Sequence, residues 1–172
     1  GIGRSFIQFD LPDLPSVFHN FKAELNLYYD YSSQHVGHGG DNFCKLERVT
    51  DEWYENEIDW YNQPSVSNQN TVYLATSLTT DQSYPDIDVT LLIKDAYNDP
   101  ENSHGLRLSL VDEYVYRSMI LASSDHPDEM IRPSLVIRYD TCTLPVDSFS
   151  YVIDDFYCQF SYADSSVTSW KW

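Results

Sequence analysis

The sequence has 172 residues, of which 42% are hydrophobic and 15% aromatic, so it can bury a substantial core and is not a disordered chain. Its 27 acidic residues against 10 basic ones give a formal charge of −17. Such a negative surface repels phosphate backbones and anionic lipid headgroups, which argues against nucleic-acid and membrane-surface partners. The longest apolar runs, 89–93 and 119–122, are far shorter than the roughly 20 residues that span a bilayer, so we expect no membrane insertion.

Alternating apolar and polar residues predict β-strands over most of the chain. In the clearest strand, Ala23, Leu25 and Leu27 share one face. Asn26 and Tyr28 lie on the opposite face. The pattern predicts an all-β fold, an antiparallel jelly-roll-like β-sandwich. Its strands are predicted at residues 4–11, 23–31, 43–49, 57–60, 71–74, 106–110, 117–122 and 134–140.

One segment departs from this alternation and has helical spacing instead; its apolar residues are Val89, Leu92, Ile93, Ala96 and Tyr97. Asp88 or Thr90 is placed to cap the first turn, and Asn98-Asp99-Pro100 to end the helix. We therefore expect one short helix that closes one end of the sandwich.

The composition changes at residues 141–145, which we predict to link a β-sandwich of residues 1–140 to a separate segment of residues 146–172. Alternation within this segment predicts a hairpin of two strands, 146–152 and 156–162. A hairpin is marginally stable alone, so we expect the segment to pack on the sandwich, on further chain or on another molecule.

The three cysteines, Cys44, Cys142 and Cys158, are far apart and form neither a zinc motif nor a redox motif. Cys142 and Cys158 flank a predicted strand and turn, and they are the best candidates for a single disulfide. Three small buried thiols are the alternative. The acidity, the 14 tyrosines and the scarcity of lysine favour an extracellular location.

Sugar binding by a β-sandwich requires exposed flat rings and a few planar hydrogen-bonding side chains on one face. Asn26 and Tyr28 lie on the outward side of their strand, and Arg107 and Arg138 come from strands that could neighbour it. These four residues are the candidate glycan site.

Trp53, Trp60 and Tyr61 are an alternative set of rings for the same purpose. Tryptophans in the middle of sandwich motifs more often belong to the core, so we prefer the first set. Because the overall charge disfavours acidic glycans, the expected ligand is a neutral one.

Clustered loop carboxylates suit calcium, which takes six to eight oxygen ligands. Asp81, Asp86 and Asp88 are the best candidate group. No regular calcium-loop motif is present, and Asp88 is also needed as a helix cap. We therefore prefer the alternative, in which these carboxylates are ordinary loop side chains.

Two histidines, His35 and His38, lie three residues apart in a glycine-rich loop with Asp41, a spacing compatible with a transition metal. A flexible loop does not preorganise ligands, so the ordinary loop interpretation is preferred here too. The sequence has no nucleophile elbow, phosphate-binding loop or distinctive carboxylate pair, and we expect no enzyme activity.

A series of motifs in chain order supports a family assignment. They are RSFIQFDL at 4–11, AELNLY at 23–28, Val49-Thr50 with Trp53, IDWYNQP at 58–64, DVTLLI at 88–93, GLRL at 105–108 and RPSLVIRY at 132–139. Together they resemble the DNRLRE-type domain, a secreted jelly-roll module of bacterial and archaeal surface proteins that overlaps a family of carbohydrate-binding modules. The resemblance implies an extracellular β-sandwich.

The chain departs from that family at two places. Domains of the family usually have an additional strand before the first motif, and a sandwich without it is expected to expose a groove and an open edge. Ser123-Ser124-Asp125 stands where the family often has a Ser-basic-Glu motif. Residues 146–172 resemble the opening of a PKD-like domain, which implies an incomplete Ig-like sandwich there.

These observations favour a non-catalytic extracellular module with a structural or adhesive role in a bacterial surface protein. An open edge and a spare strand would let copies of the chain, or neighbouring domains, assemble into a filament by strand complementation. The alternative is a carbohydrate-binding module of a secreted polysaccharide-degrading or surface protein, with a neutral polysaccharide as partner. No cofactor is expected other than the candidate calcium. The residues expected to mediate assembly are Arg4, Phe6, Phe9, Phe156, Phe160, Trp170 and Trp172.

Overall fold

The structure is a computed structural model that describes residues 2–34 and 37–141, together with the backbone of 149–154 and 157–162. One helix, α1 (Thr90–Asn98), and two 3-10 turns, Pro100–Asn102 and Glu129–Ile131, accompany the strands. The strands are β1 (Ser5–Ile7), β2 (His19–Leu27), β3 (Cys44–Val49), β4 (Val66–Tyr73), β5 (Tyr84–Asp88), β6 (Leu106–Leu110), β7 (Ser134–Asp140), β8 (Phe149–Asp154) and β9 (Tyr157–Tyr162).

Two antiparallel sheets make up the main body, a four-stranded sheet of order β1-β6-β3-β4 and a three-stranded sheet of order β5-β2-β7. In the four-stranded sheet, Lys45 on β3 lies opposite Ser109 on β6 and Tyr73 on β4. Glu47 on β3 lies opposite Arg107 on β6. The predicted all-β sandwich with one short helix is confirmed.

The core is formed by the inward faces of the two sheets and by the helix. Leu25 on β2 and Leu46 on β3 are completely buried, as is Leu92 on α1. Apolar residues at every second position of β2, β3 and β6 reach this core, which is the pattern that a half-buried strand requires. The other face of the four-stranded sheet is therefore left for polar and aromatic side chains.

Helix α1 lies where the sequence predicts, but its N-cap residue is Val89, which makes no side-chain cap bond, rather than Asp88 or Thr90. The Asp88 carboxylate accepts a hydrogen bond from the Thr90 N–H at 3.0 Å, which satisfies one of the free donors of the first turn. Thr90 holds the pKa of Asp88 below its ordinary value, through its side chain first and through this backbone bond second. The Thr90 hydroxyl also bonds the backbone of Ala23 and so ties the helix to β2.

Several predicted strand boundaries are wrong. The first strand covers Ser5–Ile7 only, because the following stretch, which contains Pro12 and Pro15, leaves the sheet and lays Phe9 and other apolar side chains over the core. At 117–122 the structure has only an isolated bridge, between Leu121 and Tyr29.

The predicted strand at 57–60 is also absent, and a turn stands in its place. The Asp59 carboxylate accepts hydrogen bonds from the backbone N–H groups of Tyr61 and Asn62, a local alternative to strand pairing. Strand β5, in contrast, was not predicted, because its short acidic sequence with a proline reads as a loop.

Strands β8 and β9 form a separate antiparallel hairpin, in which Phe149 pairs with Tyr162. The predicted hairpin is therefore present in the backbone. Several predictions fall outside the described residues. They concern the Cys142–Cys158 disulfide, most of the 141–145 linker, the side chain of Phe160, and residues Phe156, Trp170 and Trp172. In the described part of the chain, no helix has the length and apolar character needed to cross a membrane.

Candidate functional site

The outward face of the four-stranded sheet carries a network of charges. Cys44 and Leu46 point into the core, so Lys45 and Glu47 point outward, toward Arg107 on the neighbouring strand. The Glu47 carboxylate accepts a hydrogen bond from Arg107 Nη2 at 2.7 Å and one from Lys45 Nζ at 2.9 Å. These three side chains form one ion-paired group.

Glu47 is buried although it lies on the outward face. Its side chain is only 5% exposed, because the side chains of Arg107 and Lys45 cover it. Burial alone would raise the pKa of Glu47, but the hydrogen bonds from Arg107 and Lys45 outweigh it and hold that pKa below its ordinary value. The Nε of Arg107 is buried and has no hydrogen-bond partner.

Arg4, immediately before β1, extends this network. Its guanidinium makes two parallel bonds to the Glu113 carboxylate, from Nε and from Nη2, each 2.7 Å long. Its Nη1 donates to Gln63 Oε1 at 2.8 Å. The pKa of Glu113 is lowered first by Arg4 and, to a smaller extent, by the charges of Arg107 and Lys45.

We call these five side chains, Arg4, Lys45, Glu47, Arg107 and Glu113, the charged cluster. Each guanidinium in it is paired with a carboxylate. The cluster therefore presents neighbouring hydrogen-bond donors and acceptors rather than an unopposed positive charge.

Aromatic rings border the charged cluster beside β1. The Arg4 guanidinium lies over the Trp60 ring, 4.9 Å from its centroid, and Trp60 is 48% exposed. Tyr61 is 96% exposed, and Tyr54 is also exposed. We call residues 53–61 the aromatic loop. Trp60 and Tyr61 are thus surface rings, whereas the sequence favoured a place in the core for the tryptophans.

Trp53 anchors the aromatic loop to the sandwich. Its ring packs against Phe6 of β1 with centroids 5.6 Å apart, and its Nε1 donates to the His104 carbonyl at 2.7 Å. Trp53 is partly buried as a result. The exposed rings that follow it in the chain are held next to β1 rather than on a free loop.

A cleft of about 650 Å³ runs along β1, below the aromatic loop. Its floor is apolar and includes Leu25, Leu27 and Leu108, and the opposite wall includes Ser123 and Ser124. A groove therefore lies beside β1. Its lining also includes Arg4 of the charged cluster and Tyr54 of the aromatic loop, so the proposed binding groups border it.

The four predicted glycan residues do not share one surface. Asn26, on β2, and Arg138, on β7, belong to the three-stranded sheet, and Tyr28 directly follows β2. Arg107, on β6, belongs to the other sheet. The assumption that all four come from neighbouring strands is wrong.

Two of these side chains are also occupied within the protein. Asn26 is buried, and its amide bonds the Ser134 hydroxyl at 3.3 Å and the Asp86 N–H at 2.9 Å. Arg138 forms an ion pair with Glu24, which Lys22 contacts as well. Arg107 is the one member of the predicted set that lies in the charged cluster.

The residues predicted to mediate assembly have partners within the chain where the structure describes their side chains. Arg4 bonds Glu113, Phe6 contacts Trp53, and Phe9 packs against the core. Assembly through strand edges uses backbone groups and stays a prediction.

The candidate calcium residues do not come together in the described part of the chain. Across residues 2–34 and 37–141, no group of three or more histidine, cysteine, aspartate or glutamate side chains is placed to hold a metal ion. Asp81, Asp86 and Asp88 therefore do not form a ligand set. His38 bonds the Ser77 hydroxyl at 2.7 Å, and His35 lies outside the described residues.

Sequence reasoning did not assign a binding role to Lys45, Glu47 or Glu113, although the signal for two of them was present. The alternation through 43–49 places Lys45 and Glu47 on the outward face of their strand. Glu113 had no such signal, since it reaches Arg4 across 109 residues of sequence from a loop after β6.

Comparison with known proteins adds one positive finding. No curated protein matches the chain, but the sequence profile of carbohydrate-binding module family 96 matches residues 2–139. This family is defined by binding rather than catalysis, and it favours the carbohydrate-binding alternative over the structural or filament-forming reading. The DNRLRE-type and PKD-like resemblances stay predictions. The match covers both sheets of the sandwich, and the chain belongs to carbohydrate-binding module family 96.

Proposed function

We propose that this chain binds a neutral polysaccharide on the outward face of its four-stranded sheet. The observation that carries the proposal is the half-exposed Trp60 ring, fixed over Arg4 beside Gln63 and Glu113. Sugars are recognised by stacking on flat rings together with a few fixed planar hydrogen-bonding groups. The charged cluster and the aromatic loop bring both kinds of group together.

The charge arrangement favours a neutral ligand. Arg4 is paired with Glu113 and Arg107 with Glu47, so each guanidinium sits beside a carboxylate. A sugar hydroxyl both donates and accepts hydrogen bonds, and such a pair offers it one acceptor and one donor. A polyuronate would meet these carboxylates and a protein of formal charge −17.

The proposal is tested by isothermal titration of the purified chain with xylan, mannan, a soluble β-glucan and polygalacturonate. We expect binding to one of the three neutral polymers. Trp60→Ala should weaken it about tenfold or more, the loss that removal of a central aromatic contact usually causes.

Tyr28→Ala is the matched control, because it removes a ring beside the other sheet. If Tyr28→Ala abolished binding while Trp60→Ala had no effect, the site would be on the three-stranded sheet. Tighter binding of polygalacturonate than of every neutral polymer would overturn the neutral-ligand part of the proposal.

The family also supports a place in a secreted or surface protein, as a module that attaches it to a polysaccharide. A structural or filament-forming role has no specific observation in its favour. Electron micrographs of the purified chain at high concentration would reveal such filaments directly.

A further inference from the structure

A second pair of exposed rings lies on the same face of the four-stranded sheet, away from Trp60. Phe43, just before β3, and Tyr73, the last residue of β4, stack with centroids 5.5 Å apart and ring planes only 17° from parallel. Phe43 is 40% exposed and Tyr73 is 58% exposed. This Phe43–Tyr73 pair therefore presents flat aromatic surface to solvent.

The strand register places this pair and Trp60 on opposite sides of the charged cluster. Tyr73 lies opposite Lys45, and Lys45 lies opposite Ser109. Arg4 is one residue before Ser5, which pairs with Leu108. The path from β4 to β1 crosses three strand spacings of about 4.8 Å. The backbone of Tyr73 is therefore about 14 Å from that of Arg4, whose guanidinium lies against Trp60.

Cross-strand aromatic pairs commonly stabilise a sheet, and this structural role is the alternative to a binding role for Phe43 and Tyr73. The Phe18–Tyr139 pair on the other side of the protein fits it, because its rings meet edge to face at 6.0 Å and Phe18 packs against the core. Phe43 and Tyr73 do not belong to the set of residues packed on the core. Among the described ring pairs, theirs is the one with stacked rings.

We propose that Phe43 and Tyr73 form a second stacking subsite, so that one polysaccharide chain lies across the strands from Trp60 to Tyr73. The side chains of Arg4 and Lys45 lie between the two aromatic ends and bond the intervening sugars. This inference rests on the proposed function and adds the direction and length of the bound chain. The protein then recognises an internal stretch of several sugars rather than a chain end.

The test compares a disaccharide with a hexasaccharide, both prepared from the polymer among xylan, mannan and β-glucan that binds the wild-type chain. We expect wild-type affinity to rise about tenfold or more with length, because only the longer ligand reaches both aromatic ends. Tyr73→Ala should remove this gain while leaving disaccharide affinity unchanged within about twofold. Trp60→Ala should weaken both ligands.

Tyr73→Leu keeps apolar bulk in the sheet but removes the flat ring, and it is used if the alanine variant melts at a lower temperature. Tyr139→Ala is the matched control and should leave both affinities unchanged. An unchanged length dependence in both Tyr73 variants, or an equal loss for the two ligands, overturns the second subsite. An inert Trp60→Ala, or no binding to any of the three polymers, overturns the proposed function as well.

Discussion

Replacing Arg107 by leucine tests whether the outward face really contains a buried ion pair. The change keeps side-chain bulk but leaves the Glu47 carboxylate, only 5% exposed, with Lys45 as its remaining cation. Removing one partner of a buried pair costs about 3–5 kcal/mol, because the other charge stays desolvated. Since Lys45 remains, we expect the lower value, about 3 kcal/mol. For a domain of this size that corresponds to a melting temperature lower by roughly 6 to 12 °C.

Chemical denaturation of the wild-type chain, Arg107→Leu, Glu47→Leu and the double variant measures this directly. The double variant should recover most of the loss, because replacing both partners by apolar residues is often neutral. Glu129→Leu breaks the exposed Arg132–Glu129 pair instead, in which the Glu129 side chain is 80% exposed, and should change stability little. A loss below about 1 kcal/mol in Arg107→Leu, or no recovery in the double variant, would refute the buried pair.

The same pair predicts a dependence on pH. Folding lowers the pKa of Glu47 below its ordinary value of 4.5, so the unfolded chain binds its proton more readily. The stability that the pair contributes is therefore complete above about pH 4.5 and is lost as the pH falls through the folded-state pKa. The difference in stability between wild type and Arg107→Leu should narrow on acidification. A constant difference from neutral pH down to acid unfolding would contradict this.

Two further predictions concern Gly105 and Cys44. Gly105 has a φ of +101°, and a Cβ there would lie 2.3 Å from a β1 carbonyl oxygen. Gly105→Ala should therefore lower the free energy of unfolding by more than about 1 kcal/mol. Gly3→Ala is the control and should leave it unchanged, because a Cβ at Gly3 meets nothing within 4 Å. Equal denaturation midpoints for the two variants would contradict the close approach. Burial raises the pKa of the Cys44 thiol to about 12. In a variant with Cys142 and Cys158 changed to serine, Cys44 is the remaining thiol. It should react with a disulfide reagent only as fast as the protein opens. Rapid labelling at neutral pH under native conditions would show that this thiol is accessible.

The sequence predicts the fold where burial on one face decides the side-chain pattern. Ala23, Leu25 and Leu27 alternate because they face the core, and the strand is found there. The prediction fails at 57–60, where the Asp59 carboxylate bonds backbone N–H groups and forms a turn. Such local competition depends on geometry that apolar periodicity does not record.

The candidate site was harder to predict, because it depends on which strands become neighbours. Arg107 was expected to lie near Tyr28, but β6 pairs with β1 and β3 instead. Glu24 lies between Ala23 and Leu25, so alternation directs it away from the core, yet Lys22 and Arg138 pair with it and it is buried. The chain order of strands does not reveal the order within a sheet, so a cluster joining Arg4 to a loop 109 residues away was not visible in the sequence.

The two outer strands of the four-stranded sheet affect how copies of the protein contact one another when they are bound close together on a polysaccharide. Strand β1 is only 3 residues long, and β4 contains a register shift and a left-handed Asn70 with φ +55°. Short or irregular outer strands make poor templates for pairing with another sheet. Copies bound side by side along one polysaccharide would therefore not readily join through the edges of this sheet.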